Sequence, residues 1–511
     1  MHDSLSSLYS LGIVLILAGG LVRLLRSYLR LRQFPGPSIA SCTKLWMIRG
    51  TLYGRMHLDI AEACRKYGHL VRIGPNDLVT DDPEIIRRMS AVRSPYTRSD
   101  WYNATAFSHR LNHVFCERDE QRHIDLRNKL IPGYSGKENL HLEQSIDDQL
   151  IGLFRLIRNE YTSTTRAFRP VDFARLCQFL TLDIISAVAF GEPMGFLEHN
   201  EDLHGYIANQ KAMLPIFEWF STLPILEKLM RLPGISQLAM PTPQDTNGAG
   251  LLMGVAKKIV AARYGPDKKV RRDMLGSFVL HGLTQEEAEQ ETVLQIFAGS
   301  DTTATTIRTA TLFLITNPTV LLKLQNELDT AHAGGHLTCP ILTYDEAQKL
   351  PYLQACVKEC LRIWPPVVGL MQKVVPPGGD TLDGKFVPEG TQIGYSAWGV
   401  HRNPRVYGAD AGIFRPERWL EAEEEGGERL LAMNRTQELV FGSGRYACLG
   451  KQVALIEVSK AIAEIFLRYD FVLVDPSQPW QSVQRNGLFL QSKLLVRISE
   501  REKNSARLKS L

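Results

Sequence analysis

The chain has 511 residues, 44% of them hydrophobic and 22% charged, which is the usual balance for a globular protein with a sizeable core. Its formal net charge of +4 is nearly balanced, which argues against a protein dedicated to binding nucleic acid. The eight cysteines are scattered without a CxxC pair, so neither a structural zinc site of the usual spacing nor a disulfide framework is indicated.

The first element in chain order is an apolar segment at residues 5–25, with the sequence LSSLYSLGIVLILAGGLVRLL. Twenty residues of helix rise about 30 Å, which is the thickness of the hydrocarbon core of a bilayer. Arg26, Arg30 and Arg32 follow the segment, whereas a secretory signal peptide carries its basic residues in front. The sequence therefore predicts a membrane anchor at 1–27 with the rest of the chain in the cytosol, and a cleaved signal peptide is the alternative.

A basic, proline-rich hinge is predicted next, at residues 28–40. It contains the sequence FPGPS, and two prolines around a glycine cannot continue a helix. The body at 41–500 is mostly helical by its periodicity, with long segments at 58–67, 171–189 and 454–467. Short alternating stretches at 70–74 and 493–498 predict strands of small sheets. We expect one large, mainly α domain, followed by a disordered tail at 501–511.

The longest helical pattern runs over 284–317. Thr284 and Glu287 form a capping box at its start, and Pro318 follows its end. Its apolar middle is interrupted by AGSDTT at 298–303, four residue types that are poor helix formers, so a local kink is expected. Apolar neighbours on both sides favour a buried acid and hydroxyl with a chemical task, and a solvated patch on a surface helix is the alternative.

Two further motifs contribute charges that are predicted to be buried. Glu359 and Arg362, in the sequence ECLR, lie three residues apart on one face of a short helix. Cysteines, leucines and a tryptophan surround this pair, so a further partner is needed to offset desolvation, and Arg418 in FRPERW is available. The alternative is an exposed pair that contributes little to stability.

The last motif is FGSGRYACLG at 441–450, which places Cys448 among three glycines ahead of an amphipathic run. Glycine costs about 0.5–1 kcal/mol where alanine would serve, so three of them indicate a sharp turn and a close approach to another group. An inert core cysteine in a glycine-rich loop is the alternative.

These four motifs, in this order, resemble those of the membrane-anchored cytochrome P450 family, and the similarity extends from the anchor to about residue 500. HRNPRVYGAD at 401–410 is most similar to fungal secondary-metabolism members, including the pisatin demethylase-like group. The resemblance implies a cytochrome P450 fold with haem b, and a monooxygenase that inserts one oxygen atom of O2 into a lipophilic small molecule. It also implies electrons from NADPH through NADPH-cytochrome P450 reductase, cytochrome b5 as an optional second partner, contact with membrane lipid, and a single-pass endoplasmic reticulum location.

The resemblance also implies roles for individual residues. Cys448 would be the axial thiolate ligand of the haem iron, and a thiolate gains from the positive end of the helix that follows it. Asp301 and Thr302 would relay protons, and Glu359, Arg362 and Arg418 would form a structural triad. Further haem contacts are implied for Phe441, Gly444, Arg445, Gly450, His123, Arg127 and Lys373. Two departures from the family pattern are Tyr446, where arginine or histidine is usual, and Lys373, where arginine is usual.

Substrate contacts are implied at apolar positions, which fits a lipophilic molecule oriented by few polar groups. The candidates are Trp101, Leu294, Ala298, Val367, Val368, Leu488 and Phe489. Two alternative functions remain open from the sequence. One is a haem-thiolate isomerase, dehydratase or desaturase without net oxygen insertion, and the other is a non-catalytic, lipophile-binding membrane protein.

Overall fold

The structure is a computed structural model that describes residues 12, 15, 18–22, 24–108, 110–232, 234–236 and 241–502. Helices dominate it, as the periodicity predicts. Their bounds in chain order are α1 (Leu45–Tyr53), α2 (Met56–Tyr67), α3 (Pro83–Ser90), α4 (Glu120–Tyr134), α5 (Leu142–Leu156), α6 (Phe173–Phe190), α7 (Phe196–His199), α8 (Tyr206–Thr222), α9 (Pro224–Met230), α10 (Gly248–Ala261), α11 (Met274–Leu280), α12 (Gln285–Ile315), α13 (Pro318–Ala333), α14 (Tyr344–Gln348), α15 (Pro351–Ile363), α16 (Ala397–Val400), α17 (Pro404–Tyr407), α18 (Glu417–Glu425), α19 (Gly427–Gln437) and α20 (Lys451–Arg468).

Four small sheets lie at the periphery of the helices, as the two short alternating stretches predict. The largest has the strand order β1-β2-β8-β5-β3, with β2 and β8 parallel and the other pairs antiparallel. A three-stranded sheet has the order β4-β12-β9, and β10–β11 and β6–β7 are antiparallel pairs. The strand bounds are β1 (Leu70–Gly74), β2 (Asp77–Thr80), β3 (Thr97–Arg98), β4 (Val171–Asp172), β5 (Lys373–Val374), β6 (Asp380–Leu382), β7 (Lys385–Val387), β8 (Gln392–Tyr395), β9 (Tyr469–Leu473), β10 (Gln481–Arg485), β11 (Leu488–Ser492) and β12 (Leu495–Glu500).

The two central helices are α6 and α12, which pack against each other in the core. Gly299 allows this close approach, since a Cβ there would lie 2.6 Å from Cγ1 of Ile185 on α6. Among the described residues, α6 alone is long and apolar enough to cross a membrane, and 94% of it is buried inside the domain, which marks it as a core helix. The core therefore surrounds the segment of α12 that carries AGSDTT.

Helix α12 begins with the predicted capping box, in which both the Thr284 and the Glu287 side chains bond to the backbone of the first turn. The poor helix formers of AGSDTT do not interrupt the helix, since α12 is helical without a break from Gln285 to Ile315. The hydroxyls of Ser300 and Thr302 instead donate to the carbonyls four residues earlier, at 2.7 and 2.8 Å. The hydrogen-bonding needs of these hydroxyl groups are thereby met within the helix itself.

The hinge is fastened to the domain. Phe34 is buried, and the Arg72 N–H donates to the Pro35 carbonyl at 2.8 Å. The Arg72 guanidinium also donates to the carbonyls of Ser27 and Tyr28 at 2.9 and 3.2 Å, at the end of a helical stretch over 24–30. Much of the anchor predicted at 1–27 lies outside the described residues, which include only 12, 15, 18–22 and 24–27 of it.

At the other end, the tail predicted at 501–511 falls mostly outside the described residues, which end at 502. Arg501 packs on the domain, where its guanidinium contacts the Asp329 carboxylate at 2.8 Å and its N–H donates to the Arg468 carbonyl at 2.9 Å.

Candidate active site

The cysteine loop, residues 441–450, lies between a short 3-10 helix at Glu438–Phe441 and the start of α20. Within it, the Cys448 N–H donates to the Phe441 carbonyl at 2.7 Å. Gly444 has a φ of +58°, and a Cβ there would lie 2.0 Å from the Ser90 carbonyl oxygen, so only glycine fits. The loop is thus pressed against the end of α3, and Cys448 lines a cavity.

Opposing effects act on the Cys448 thiol. Burial raises its pKa, whereas hydrogen bonds from the Gly450 and Lys451 N–H groups and the positive charge of Arg127 lower it. These N–H groups belong to the first turn of α20, where the helix dipole also favours a negative charge. The arrangement therefore supplies the donors that a thiolate needs, as predicted from the helix that follows it.

The cavity measures about 270 Å³. Leu294, Ala298 and Val367 line it as predicted. Gly450 also lines it, with no protein atom closer than 3.9 Å to the position that a Cβ would occupy. The lining further includes Val114, Phe115, His123, Arg127, Ile185, Thr302, Met371, Phe441 and Cys448.

Four of the predicted substrate contacts, namely Trp101, Val368, Leu488 and Phe489, do not line this cavity. Trp101 packs against Gly369, and a Cβ on that glycine would approach its ring to 3.0 Å. Val368 follows Val367 and faces away from the cavity, into an apolar cluster with Phe489. Phe115 and Met371 also line the cavity.

Asp301 and Thr302 face different surroundings. Thr302 lines the cavity, whereas Asp301 is 3% exposed and is turned toward α6 and α8. Its Oδ1 accepts from Gln178 Nε2 at 2.9 Å, and its Oδ2 accepts from the Tyr206 hydroxyl at 3.2 Å and from Gln210. Burial raises the pKa of Asp301 to about 6, although these three donors act in the opposite direction. The predicted pair of Asp301 and Thr302 is present, but the Asp301 carboxyl lies outside the cavity.

A buried arginine supports this arrangement. Arg308, two turns along α12, donates to Gln178 Oε1 at 2.8 Å and to the Ala174 carbonyl at 2.8 Å. The oxygen of the Gln178 amide therefore accepts from the Arg308 guanidinium, and its nitrogen donates to the Asp301 carboxylate. Each charged group thus faces a partial charge of the opposite sign. Asp301 is consequently tied both to the core helix α6 and to α8.

Buried cations gather at one end of the cavity. Arg98, on β3, lines it together with Arg127 and His123. Lys373 is 3% exposed, with its Nζ 3.3 Å from the centroid of the Tyr446 ring. Burial and Arg98 hold the pKa of Lys373 well below its ordinary value, and burial and neighbouring cations lower the pKa of His123 to about 3. Lys373 does not line this cavity, but it lines a smaller neighbouring one together with Arg98 and Tyr446. We call Arg98, Arg127 and Lys373 the cation cluster.

Arg445 does not reach the cavity, contrary to expectation. Its guanidinium donates to the Ser94 carbonyl at 3.0 Å and lies 3.3 Å from the Glu120 carboxylate. Tyr446, the residue in place of the usual cation, donates its hydroxyl to Glu120 at 2.5 Å and lies under the Arg98 guanidinium at 4.5 Å. The face of the tyrosine ring thus contacts two cations of the cluster, Arg98 and Lys373.

These observations fit a haem. The Cys448 thiol, with its backbone N–H donors, lies in the cavity wall, where the turn at Gly444 places it. At one end of the cavity lie cations whose positive charge is not fully balanced by nearby anions. Desolvated positive charges require an anionic partner, and the two propionates of haem b supply one. Among the described residues, no group of His, Cys, Asp and Glu side chains could hold a bare metal ion.

The predicted triad is formed as expected. Glu359 accepts from Arg362 at 2.7 and 2.8 Å and from Arg418 at 3.0 Å, and all three side chains are fully buried. The Trp419 indole N–H adds a bond to Glu359 at 2.9 Å. The triad joins α15 to α18, and none of its three side chains lines the cavity, in agreement with a structural role.

The comparisons with known proteins agree with this geometry. The cytochrome P450 family profile matches residues 35–497. The chain is a cytochrome P450. It is 42% identical to "Cytochrome P450 monooxygenase ABA1" of Pyricularia oryzae, over 95% of this chain and 96% of the relative. It is 38% identical to "Cytochrome P450 monooxygenase aba1" of Botryotinia fuckeliana, over 92% of each, and 29% identical to "Pisatin demethylase" of Fusarium vanettenii, over 88% of this chain and 86% of the relative.

As a cytochrome P450 monooxygenase, the protein uses haem-thiolate iron and electrons derived from NADPH.

Several residues of this P450 lack any signal in the sequence. Arg98 lies in a two-residue strand without a motif, and Gln178, Tyr206 and Gln210 reach Asp301 from helices 91 to 123 positions away. A local pattern does not report such long-range contacts.

Proposed function

We propose that this cytochrome P450 inserts one oxygen atom of O2 into a lipophilic small-molecule intermediate of fungal secondary metabolism. The observation that carries the proposal is that Cys448, Thr302, Arg98 and Arg127 line one cavity whose remaining wall is mostly apolar. Leu294, Ala298 and Val367 offer no hydrogen-bonding side chain, so shape and apolar contact orient the substrate. Relatives that include a pisatin demethylase support a natural-product substrate.

In this proposal, Cys448 would ligate the haem iron, and Arg98, Arg127, His123 and Lys373 would hold the haem propionates. When bound, haem would supply dioxygen activation, which a thiolate ligand favours by donating electron density. Phe441 lines the cavity beside Cys448 and limits the access of water to the sulfur. The lowered pKa of His123 keeps its imidazole neutral, so that it acts as a hydrogen-bonding group without adding charge.

Thr302 and Asp301 carry the proton movements. The Thr302 hydroxyl faces the cavity and donates to the Ala298 carbonyl at 2.8 Å, so a rotation about its χ1 angle redirects the proton into the cavity. Asp301 holds the exchangeable proton behind it. With its pKa raised to about 6, the carboxyl gains and loses a proton close to neutral pH, as a relay group requires.

The membrane anchor and partners belong to the same proposal. Described residues of the predicted anchor expose large apolar side chains, with Leu15 at 63% and Leu21 at 67%, and a lipid surface would cover them. Arg72 and Ser27 fasten the end of this helix to the β1–β2 turn. We place the protein in the endoplasmic reticulum membrane by a single anchor, with NADPH-cytochrome P450 reductase as electron donor and cytochrome b5 as an optional partner.

The first test is the absorption spectrum of the reduced protein with carbon monoxide. We expect the strongly red-shifted Soret band of thiolate-ligated haem in the wild type and its loss in Cys448→Ser. Cys360→Ser, which changes a fully buried cysteine outside the cavity, is the matched control and should keep the band. A wild-type band at the position of histidine-ligated haem, or no haem band, would contradict the assignment of Cys448.

A further inference from the structure

The segment 110–119 precedes α4 and contains no helix or strand, and its own backbone hydrogen bonds are those of one turn, in which the Cys116 and Glu117 N–H groups donate to the His113 carbonyl at 3.1 and 3.0 Å. Two of its residues, Val114 and Phe115, nevertheless line the active-site cavity. An irregular segment over a cavity is mobile unless side chains from the rigid core hold its backbone. The shape of the substrate site therefore depends on what holds these two residues.

The peptide groups of Val114 are held from both directions. The Val114 N–H donates to Glu291 Oε1 on α12 at 2.6 Å. The Val114 carbonyl accepts from the Arg98 guanidinium at 2.9 Å, and the same nitrogen reaches the Glu117 carbonyl at 2.8 Å. A carboxyl from the central helix and a guanidinium from β3 thus fix one residue of the segment, and Phe115 follows directly.

Glu291 is an unusual residue for a helix core. It is 1% exposed, and burial raises its pKa to about 8. Its second oxygen, Oε2, has no hydrogen-bond partner among the described residues. Gln295, one turn along the same face of α12, likewise has a buried Oε1 without a partner in the described part of the chain. Burying a carboxyl without a cation is costly, and the contact with Val114 is the hydrogen bond that offsets part of this cost.

We propose that Glu291 is a specificity-determining positioning residue, which holds Val114 and Phe115 over the cavity and so sets the size and shape of the molecule that the enzyme accepts. It acts through the segment 110–119 and does not itself line the cavity. The acceptor oxygen carries this role, so an amide at position 291 preserves it, whereas a side chain without an acceptor abolishes it. The binding assay for this role rests on the haem site proposed above.

Two nitrogen ligands of haem iron serve as probes. The two differ by one phenyl ring, so 4-phenylimidazole fills more of the cavity that Val114 and Phe115 line. We expect Glu291→Met to weaken 4-phenylimidazole about tenfold, because the segment must then be ordered on binding, and to leave imidazole unchanged. Glu291→Gln should restore the wild-type ratio of the two dissociation constants. Glu286→Met, which removes an exposed carboxylate from the same helix, is the matched control and should leave both ligands unaffected.

Amide hydrogen exchange provides a second readout that is independent of haem. Protection of the Val114 amide should fall at least tenfold in Glu291→Met and stay at the wild-type level in Glu291→Gln. If Glu291→Met does not fold, Glu291→Ser, whose side chain is too short to reach Val114, takes its place. Unchanged exchange and an unchanged ratio of dissociation constants in the acceptor-free variant would overturn the proposal. Failure of imidazole to shift the Soret band in every protein would contradict the haem site instead, and the exchange data would still decide the role of Glu291.

Discussion

At the scale of single residues, the cavity wall contains side chains whose immediate neighbours in sequence point away from it. Val367 lines the cavity while Val368 packs away from it, and Thr302 lines it while Asp301 is turned toward two other helices. The sequence predicts which segments reach the site, because motifs and periodicity are local. It does not predict which side chain of a segment faces the cavity, since this depends on the packing of residues far along the chain.

Thr302 is the first residue to test. We expect Thr302→Ala to increase the hydrogen peroxide released per NADPH consumed several-fold, because the cavity-lining hydroxyl that directly follows Asp301 in the chain is lost. The measurement is peroxide yield against NADPH oxidation in the reconstituted enzyme. Thr305→Ala, which removes a buried hydroxyl outside the cavity lining, is the control. Equal peroxide yields in both variants would mean that Thr302 does not relay protons.

Glu291 provides a pH-dependent test of stability. Its pKa is 4.5 in the unfolded chain and about 8 in the folded protein. The unfolded state therefore releases a proton first, and the folded state loses stability as pH rises from about 4.5 to 8, by at most about 1.4 kcal/mol per pH unit. Glu291→Gln removes this titration, so its free energy of unfolding should fall less than that of the wild type between pH 6 and 8. Urea unfolding at both pH values measures the difference, and parallel pH dependence would contradict the assignment of a raised pKa.

At the scale of elements, α12 shows what sequence reasoning reaches and what it misses. The capping box and the proline that follows the helix are local signals, and both ends are found as predicted. The helix also continues through AGSDTT, where hydroxyls such as that of Thr302 bond to carbonyls of the helix itself. The attachment of α12 to α6 and α8 through Asp301 has no local signal, since Gln178 and Gln210 carry nothing in their surrounding sequence that distinguishes them from ordinary polar residues.

The attachment to α8 predicts a change in its local stability. Tyr206 and Gln210 both donate to Asp301, so Gln210→Leu removes one donor from a fully buried carboxylate. We expect amide protection over α8 to fall about tenfold, which corresponds to the loss of one charged hydrogen bond, while α6 stays protected. Lys211→Leu changes the adjacent, exposed position on the same helix and should leave the exchange of α8 unchanged. Equal protection of α8 in the two variants would show that Asp301 does not fasten this helix.

At the scale of the whole molecule, Glu359, Arg362 and Arg418 connect α15 and α18 through fully buried charges. The order of the four motifs along the chain predicts this triad, because its partners are arranged in the same way as in other members of the family. Its buried geometry predicts that the triad is needed for folding. Arg418 also donates to the carbonyls of Tyr407 and Ile413 at 2.7 and 3.0 Å, so one side chain organises the long coil between the helices.

The final prediction concerns Arg418→Lys. An ammonium group cannot reproduce the fork of bonds that the guanidinium makes to Glu359, Tyr407 and Ile413, and a broken buried pair costs about 3–5 kcal/mol. We expect the variant to accumulate with little haem and a lowered urea midpoint. Arg415→Lys, in the same FRPERW motif, changes a guanidinium that is 32% exposed, so haem content per protein should stay near the wild-type level. If both variants retained haem equally, the buried fork would not be required, and the coil between α15 and α18 would depend on its backbone hydrogen bonds alone.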